Sequence, residues 1–244
     1  MKTIILSAGT GSRLNYDKPK SLIDLDGRKL IEVQLNQLFL AGIKKEDINL
    51  VIGYKEELFE GYKYKKFINN EYRNTNQIFS ICCASSLLNE KEILVVYGDV
   101  LFEKHLIDQL IRAEGNFIVP SYVEFKKLWT TRGDYEYDDL ETFKLDENGK
   151  IIEIGNKVKD IKSVEGQFMG VMYFRNYEFK NFLEFVENFK NEHSKKEFME
   201  LQTTTFLNYL IKKGIEIKSI DYDGFFMELD SENDLKLLKD TLNL

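Results

Sequence analysis

Leu6-Ser7-Ala8-Gly9-Thr10-Gly11-Ser12-Arg13-Leu14, closed by Lys18-Pro19-Lys20, is the stretch from which the rest of the chain takes its meaning. It follows Lys2-Thr3-Ile4-Ile5-Leu6, a β-branched run that reads as a buried first strand, so the glycines fall where strand becomes loop. Small residues there let successive backbone N–H groups face an anion without Cβ obstruction, and Arg13 and Lys20 add two positive charges to the same concavity. The stretch reads as a grip on a nucleoside triphosphate. A dinucleotide fingerprint would need a third glycine where Leu14 stands, and a Walker loop would need Gly-Lys-Ser/Thr, which is absent. An ordinary turn after a first strand accounts for the glycines but leaves Arg13 and Pro19-Lys20 unexplained.

The 244 residues suffice for one large α/β domain. A net charge of −7 argues against a nucleic-acid partner, which needs a clustered basic surface. The two cysteines, Cys82-Cys83, are adjacent within an apolar run and suit neither a disulfide framework nor a metal site, so reduced, core-facing thiols are expected. Met1 leads straight into a strand without a signal-peptide pattern, and no apolar run approaches the roughly 18 residues of a membrane span. A cytoplasmic protein without a membrane partner is the expectation. The sequence leaves the oligomeric state open, a homodimer included.

Along the chain, 30–41 reads as an amphipathic helix stopped by Gly42, and 48–52 as a second strand, which together with the first makes a βαβ unit. A helix over 78–88, a continuous apolar strand over 93–97, a helix over 106–113 and a strand over 117–120 follow. The alternation then loosens. Segments 140–145 and 151–154 flank Asp146-Glu147-Asn148-Gly149 as a hairpin, 168–174 is another strand, and helices over 177–189 and 202–212 precede strands at 215–220 and 226–229. Ser231 and Asp234 form a capping-box variant at the last helix. The expected fold is α/β: a Rossmann-like, mostly parallel central sheet with helices on both faces and a small antiparallel insertion. The expected organisation is a single domain over 1–244, with a nucleotide-binding half (1–120) and an acceptor-binding half (121–244).

Tyr97-Gly98-Asp99 ends the most apolar strand, and open α/β sheets bind ligands beyond the carboxyl ends of their strands. Asp230 ends the last strand in Glu228-Leu229-Asp230. Two carboxylates facing a triphosphate suit Mg²⁺, with Glu228 a further candidate beside them. Singly, Asp99 also suits a turn and Asp230 a helix start. Asn76 and Ser80, four apart at a helix start, share a face on which they either bind a base or ribose or serve as a cap and an incidental serine. His105 and His193 read as surface residues outside any catalytic or zinc arrangement.

The Ala-Gly-x-Gly-x-Arg loop followed by Pro-Lys resembles the nucleotidyltransferases of the sugar-nucleotide pyrophosphorylase type. The resemblance implies nucleotide binding by Leu6, Ala8, Gly9, Gly11, Asn76 and Ser80, phosphate contacts from Arg13 and Lys20, and metal ligation by Asp99 and Asp230. Ser7 departs from the alanine or glycine of many members, and the short spacer between Arg13 and Pro19 looks more like the cytidylyltransferases. The Asn76-x-x-x-Ser80 helix, Lys127-Leu128-Trp129, Arg132, Asp139 to Phe143, Ile152 to Lys157 and Glu165 to Gly170 follow the order of the branch that activates phosphocholine and similar small compounds. On that resemblance Lys157 contacts the acceptor phosphate, and Trp129, Arg132, Glu141 and Gln167 lie at the acceptor. Asn156 interrupts the Gly-Lys of many relatives, which leaves Lys157 and Lys159 both open for that role. Trp129, Tyr122 and Tyr135 would suit an aromatic cage for phosphocholine, and Arg132 and Glu141 an amino-acid-like or phosphonate acceptor. The implied activity is Mg²⁺-assisted cytidylyl transfer from CTP to a small phosphorylated or phosphonate acceptor. A sugar-1-phosphate nucleotidyltransferase and a non-catalytic nucleotide sensor of the same fold are the alternatives.

Overall fold

In a computed structural model, the chain is described at residues 1–11, 14, 16–132, 140–158, 161 and 164–242. β1 (Lys2–Ser7) leads through the glycine loop to the hairpin of β2 (Asp24–Leu25) and β3 (Arg28–Lys29), then to α1 (Leu30–Leu40). β4 (Ile48–Ile52), β5 (Lys65–Ile68) and α2 (Gln77–Cys83) follow. Next come β6 (Ile93–Tyr97), β7 (Val100–Phe102), α3 (Lys104–Arg112), β8 (Phe117–Ile118), β9 (Ser121–Tyr122) and α4 (Phe125–Arg132). Beyond them lie β10 (Glu141–Leu145), β11 (Ile151–Lys157), β12 (Gln167–Phe168), β13 (Val171–Phe174), α5 (Glu178–Glu192) and α6 (Lys195–Met199). The last elements are α7 (Thr203–Lys212), β14 (Asp221–Tyr222), β15 (Phe226–Glu228) and α8 (Glu232–Leu242).

The central sheet runs β5-β4-β1-β6-β13-β8. β5, β4, β1 and β6 are parallel neighbours, and β13 enters antiparallel between β6 and β8. Alternation along each strand divides the core in two. Ile5, Leu50, Leu94 and Val96 face a layer containing α1, α3 and α8, while Ile4, Val51, Ile93 and Val95 face α2, α5 and α7. The α/β fold with helices on both faces, expected from the sequence, is what the chain adopts, and β10 and β11 form the expected antiparallel hairpin.

Several boundaries differ for identifiable reasons. The strand expected over 168–174 is two: Gly170, at φ +67°, breaks it, and β12 leaves the central sheet to pair with β9. The strand expected over 215–220 reduces to bridges at Lys218, with β14 pairing one step later. The helix expected over 78–88 ends at Cys83 and continues as a tight turn through Leu87. β5 was not anticipated, because an edge strand bearing Lys65 and Lys66 lacks the apolar run of its neighbours. The strand ending at Glu228 pairs antiparallel with β7 rather than joining the central sheet.

Candidate active site

The glycine loop, β6 and β15 converge on one cavity. It has a volume of about 390 Å³ and is lined by Leu6, Ala8, Gly9, Gly11, Lys20, Asn76, Ser80 and Asp99 among the expected residues, and by Glu228. Gly11 lies at φ +64°, and a Cβ there would stand 2.9 Å from the Lys20 Cγ, so the loop can lie against the lysine stem only with glycine at that position. Gly98 is needed for a second close approach. A Cβ on it would fall 2.6 Å from both Leu6 O and Ser7 Oγ, and its N–H donates to Leu6 O at 2.8 Å.

Lys20 stands at the centre. Its Nζ donates to Asp99 Oδ2 at 3.1 Å and to Asp230 Oδ1 at 2.5 Å, with all three side chains largely buried. Burial alone would lower the Lys20 pKa, but the two carboxylates outweigh it and hold the ammonium above its ordinary value. One carboxylate oxygen from each of Asp99, Glu228 and Asp230 lies within 4.8 Å of the other two. Three hard oxygen donors so grouped fit a divalent cation that takes its remaining ligands from phosphate and water.

The carboxylates are held by their backbones. Asp99 O accepts from Leu229 N at 2.8 Å, which joins the β6 turn to the end of β15. Asp234, fully buried, accepts at Oδ2 from Asp230 N at 3.0 Å, Ser231 N at 2.8 Å and Ser231 Oγ at 2.9 Å. This is the expected cap of the last helix, and it also fixes the Asp230 backbone.

On the opposite wall, Ser80 is buried and Asn69 Nδ2 donates to its Oγ at 3.0 Å and to Thr75 Oγ1 at 3.0 Å. Asn76 starts α2, but its Nδ2 donates across to Glu200 O at 2.6 Å and does not cap its own helix. Sequence reasoning missed Asn69, since an asparagine after a lysine-bearing segment gives no sign that it is 1% exposed.

Tyr97 ends β6 and lines the cavity. The Tyr97 hydroxyl donates to Thr203 Oγ1 at 2.6 Å, and its ring meets Phe168 edge-on at 5.8 Å. Burial raises the Tyr97 pKa; the Thr203 contact opposes this, and the charges of Asp99, Glu228 and Glu141 reinforce it. Trp129 is 5% exposed and its indole N–H donates to Gln167 Oε1 at 2.9 Å, so these two expected residues come together. Trp129 and Tyr122, two of the three aromatics read as a cage, are packed in the core. Glu141 pairs across the hairpin with Lys157, which is exposed. None of Trp129, Glu141, Gln167 and Lys157 lines the cavity of the glycine loop. Arg13, Tyr135 and Lys159 lie outside the described residues, and of Arg132 only the backbone, at the end of α4, is described.

His105 is exposed on α3, and His193 follows α5 with its ring stacked on Phe189 at 3.8 Å. Neither lines the cavity. Cys82 and Cys83 are free thiols packed against the core, and burial pushes the Cys82 pKa up to about 12. No helix among the described residues is long and apolar enough to cross a membrane.

Residues 3–149, which hold the glycine loop, Lys20 and Asp99, match the MobA-like NTP transferase domain. The chain belongs to that family. Within it, the chain is 29% identical to the CTP:phosphoglutamine cytidylyltransferase of Campylobacter jejuni subsp. jejuni serotype O:2, over 97% of this chain and 98% of that protein. It is 28% identical to the 2-aminoethylphosphonate cytidylyltransferase of Lancefieldella rimae, over 76% of this chain and 71% of the relative. Among solved structures, CTP:phosphocholine cytidylyltransferase from Streptococcus pneumoniae shares the fold, with a TM-score of 0.73 at 22% identity over 99% of this chain and 98% of that one. The inositol-1-phosphate CTP transferase from T. maritima does likewise, with a TM-score of 0.74 at 18% identity over 99% and 96%. The resemblance drawn from the motifs therefore holds at the level of family and fold.

Proposed function

We propose that this NTP transferase joins CMP from CTP to a small phosphorylated or phosphonate acceptor of the phosphocholine, phosphoglutamine or 2-aminoethylphosphonate kind. The observation that carries the reading is the convergence of Lys20 with Asp99, Glu228 and Asp230, of which Lys20, Asp99 and Glu228 line the same cavity as the glycine loop. The choice of CTP and of a small acceptor is supported by the near full-length likeness to the phosphoglutamine enzyme.

The acceptor oxygen is already anionic, so no general base or protein nucleophile is needed. It attacks the α-phosphorus in line, the bond from that phosphorus to the bridging oxygen of the β-phosphate breaks, and pyrophosphate leaves with the electron pair. Lys20, with Arg13, holds the departing phosphates, and the glycine-loop N–H groups position the nucleotide. Asp99 and Asp230, with Glu228 beside them, hold Mg²⁺, which when bound supplies positive charge to the phosphate oxygens. Lys157 receives the acceptor phosphate, Glu141, Gln167, Trp129 and Arg132 shape the acceptor side, and Asn76 and Ser80 face the nucleoside. The halves 1–120 and 121–244 are the nucleotide and acceptor sides of one domain, working in the cytoplasm.

Pyrophosphate release, followed with each NTP in turn, Mg²⁺ and a panel of acceptors, tests the proposal. Turnover is expected with CTP and a small phosphoalcohol, phosphoamide or phosphonate. Turnover confined to a hexose-1-phosphate would establish the sugar-nucleotide reading in its place, and none with any pair would leave a nucleotide sensor. Asp99→Ala is expected to lower kcat by orders of magnitude with the far-UV circular dichroism unchanged.

A further inference from the structure

α1 is an apolar helix that nevertheless buries a glutamine. Gln34 is 1% exposed, and its side chain leaves the helix for the turn between β6 and β7. Nε2 donates to Tyr97 O at 2.8 Å and to Val100 O at 2.7 Å. Those two carbonyls flank Gly98 and Asp99. One planar amide giving a hydrogen to each end of the turn fixes the distance between them. The same turn is tied to β1 through Gly98 N and to the end of β15 through Asp99 O. Lys20 holds the Asp99 carboxylate directly, whereas Gln34, with the Gly98 N and Asp99 O bonds, holds the backbone that carries it.

The choice of residue is itself informative. Gln34 Oε1 is buried without a hydrogen-bond partner among the described residues, a condition that destabilises the fold. Leucine or methionine would fill the position without leaving an oxygen unpaired, but neither would hold the two carbonyls.

We propose that Gln34 is a positioning residue for the carboxylate cluster: by clasping the Tyr97 and Val100 carbonyls it sets where Asp99 stands relative to Glu228 and Asp230, and so how tightly the three hold a divalent cation. The inference rests on the cation site described under Proposed function. Outer residues that orient a metal ligand commonly change affinity by about 10- to 100-fold when replaced.

The test is Mn²⁺ binding, read from the paramagnetic resonance signal of free Mn²⁺, in wild type, Gln34→Met, Asp99→Asn and Leu38→Ala. Leu38 is a fully buried residue of the same helix and controls for a general loosening of α1. Gln34→Met is expected to weaken Mn²⁺ binding about tenfold or more, with CTP binding in EDTA unchanged. Leu38→Ala is expected to lower Tm and leave Mn²⁺ affinity as in wild type. Wild-type Mn²⁺ affinity in Gln34→Met, or an equal loss in Leu38→Ala, overturns the inference while a loss in Asp99→Asn upholds the cation site. Absence of Mn²⁺ binding in wild type, or equal binding in Asp99→Asn, overturns both. Should Gln34→Met fail to fold, Gln34→Asn carries the test: its amide, one methylene short, cannot span both carbonyls, and a smaller loss in the same direction is expected.

Discussion

Lys20 gathers the electrostatics of the site into one side chain. Its ammonium lies between Asp99 and Asp230, and its pKa is raised above the ordinary 10.5 despite burial. A lysine whose folded pKa exceeds its unfolded one contributes stability that is fully present below the unfolded value and lost as pH rises through the folded value. The difference in urea stability between wild type and Lys20→Met is therefore expected to stay level at neutral to mildly alkaline pH and to shrink as pH rises past the ordinary 10.5. A difference that grew with alkaline pH would mean that the carboxylates do not stabilise the ammonium. The residue types of this cluster were legible in the sequence because each sits at a motif or a strand end. Gln34 and Asn69 were not: on a helix read as amphipathic and after an edge strand, an uncharged amide looks like surface, and only the folded neighbours reveal it as buried.

Among the elements, the close approach of the carboxyl ends of the parallel neighbours β1 and β6 does most to shape the site. Gly98 lies so close to Leu6 O and Ser7 Oγ that Gly98→Ala must push the two strand ends apart. Overpacking of this kind costs roughly 1–3 kcal/mol, and urea denaturation is expected to show it together with a loss of turnover as Asp99 is displaced. Gly9 gives the contrast. A Cβ there meets nothing within 4 Å, so Gly9→Ala is expected to keep wild-type stability and to weaken nucleotide binding in equilibrium titration. Strand and helix identity was readable wherever the apolar period was sustained, as in β1, β4, β6 and α1. It failed where pairing is short and set by distant partners. β12 and β14 are two residues each, and both pair with β9, so their existence depends on how remote segments meet rather than on local pattern.

At the scale of the whole molecule, one apolar layer joins both halves of the chain: it includes Ile5 and Leu50 from the first half and Trp129, Tyr173 and Leu238 from the second. With a layer shared in this way, the two halves are expected to unfold together. Trp129 is the sole tryptophan and lies in this layer, so its fluorescence and the far-UV circular dichroism are expected to report coincident urea transitions. Two separated transitions would divide the chain into independent folding units. The bonds from Lys20 to Asp99 and Asp230 span 79 and 210 residues of chain. Closing loops of that length carries an entropy penalty that local contacts do not meet, which slows folding. While the protein is being synthesised, Lys20 has no partner at position 230 until 210 further residues have been added, so the ammonium that joins Asp99 to Asp230 waits on a segment made long after its own.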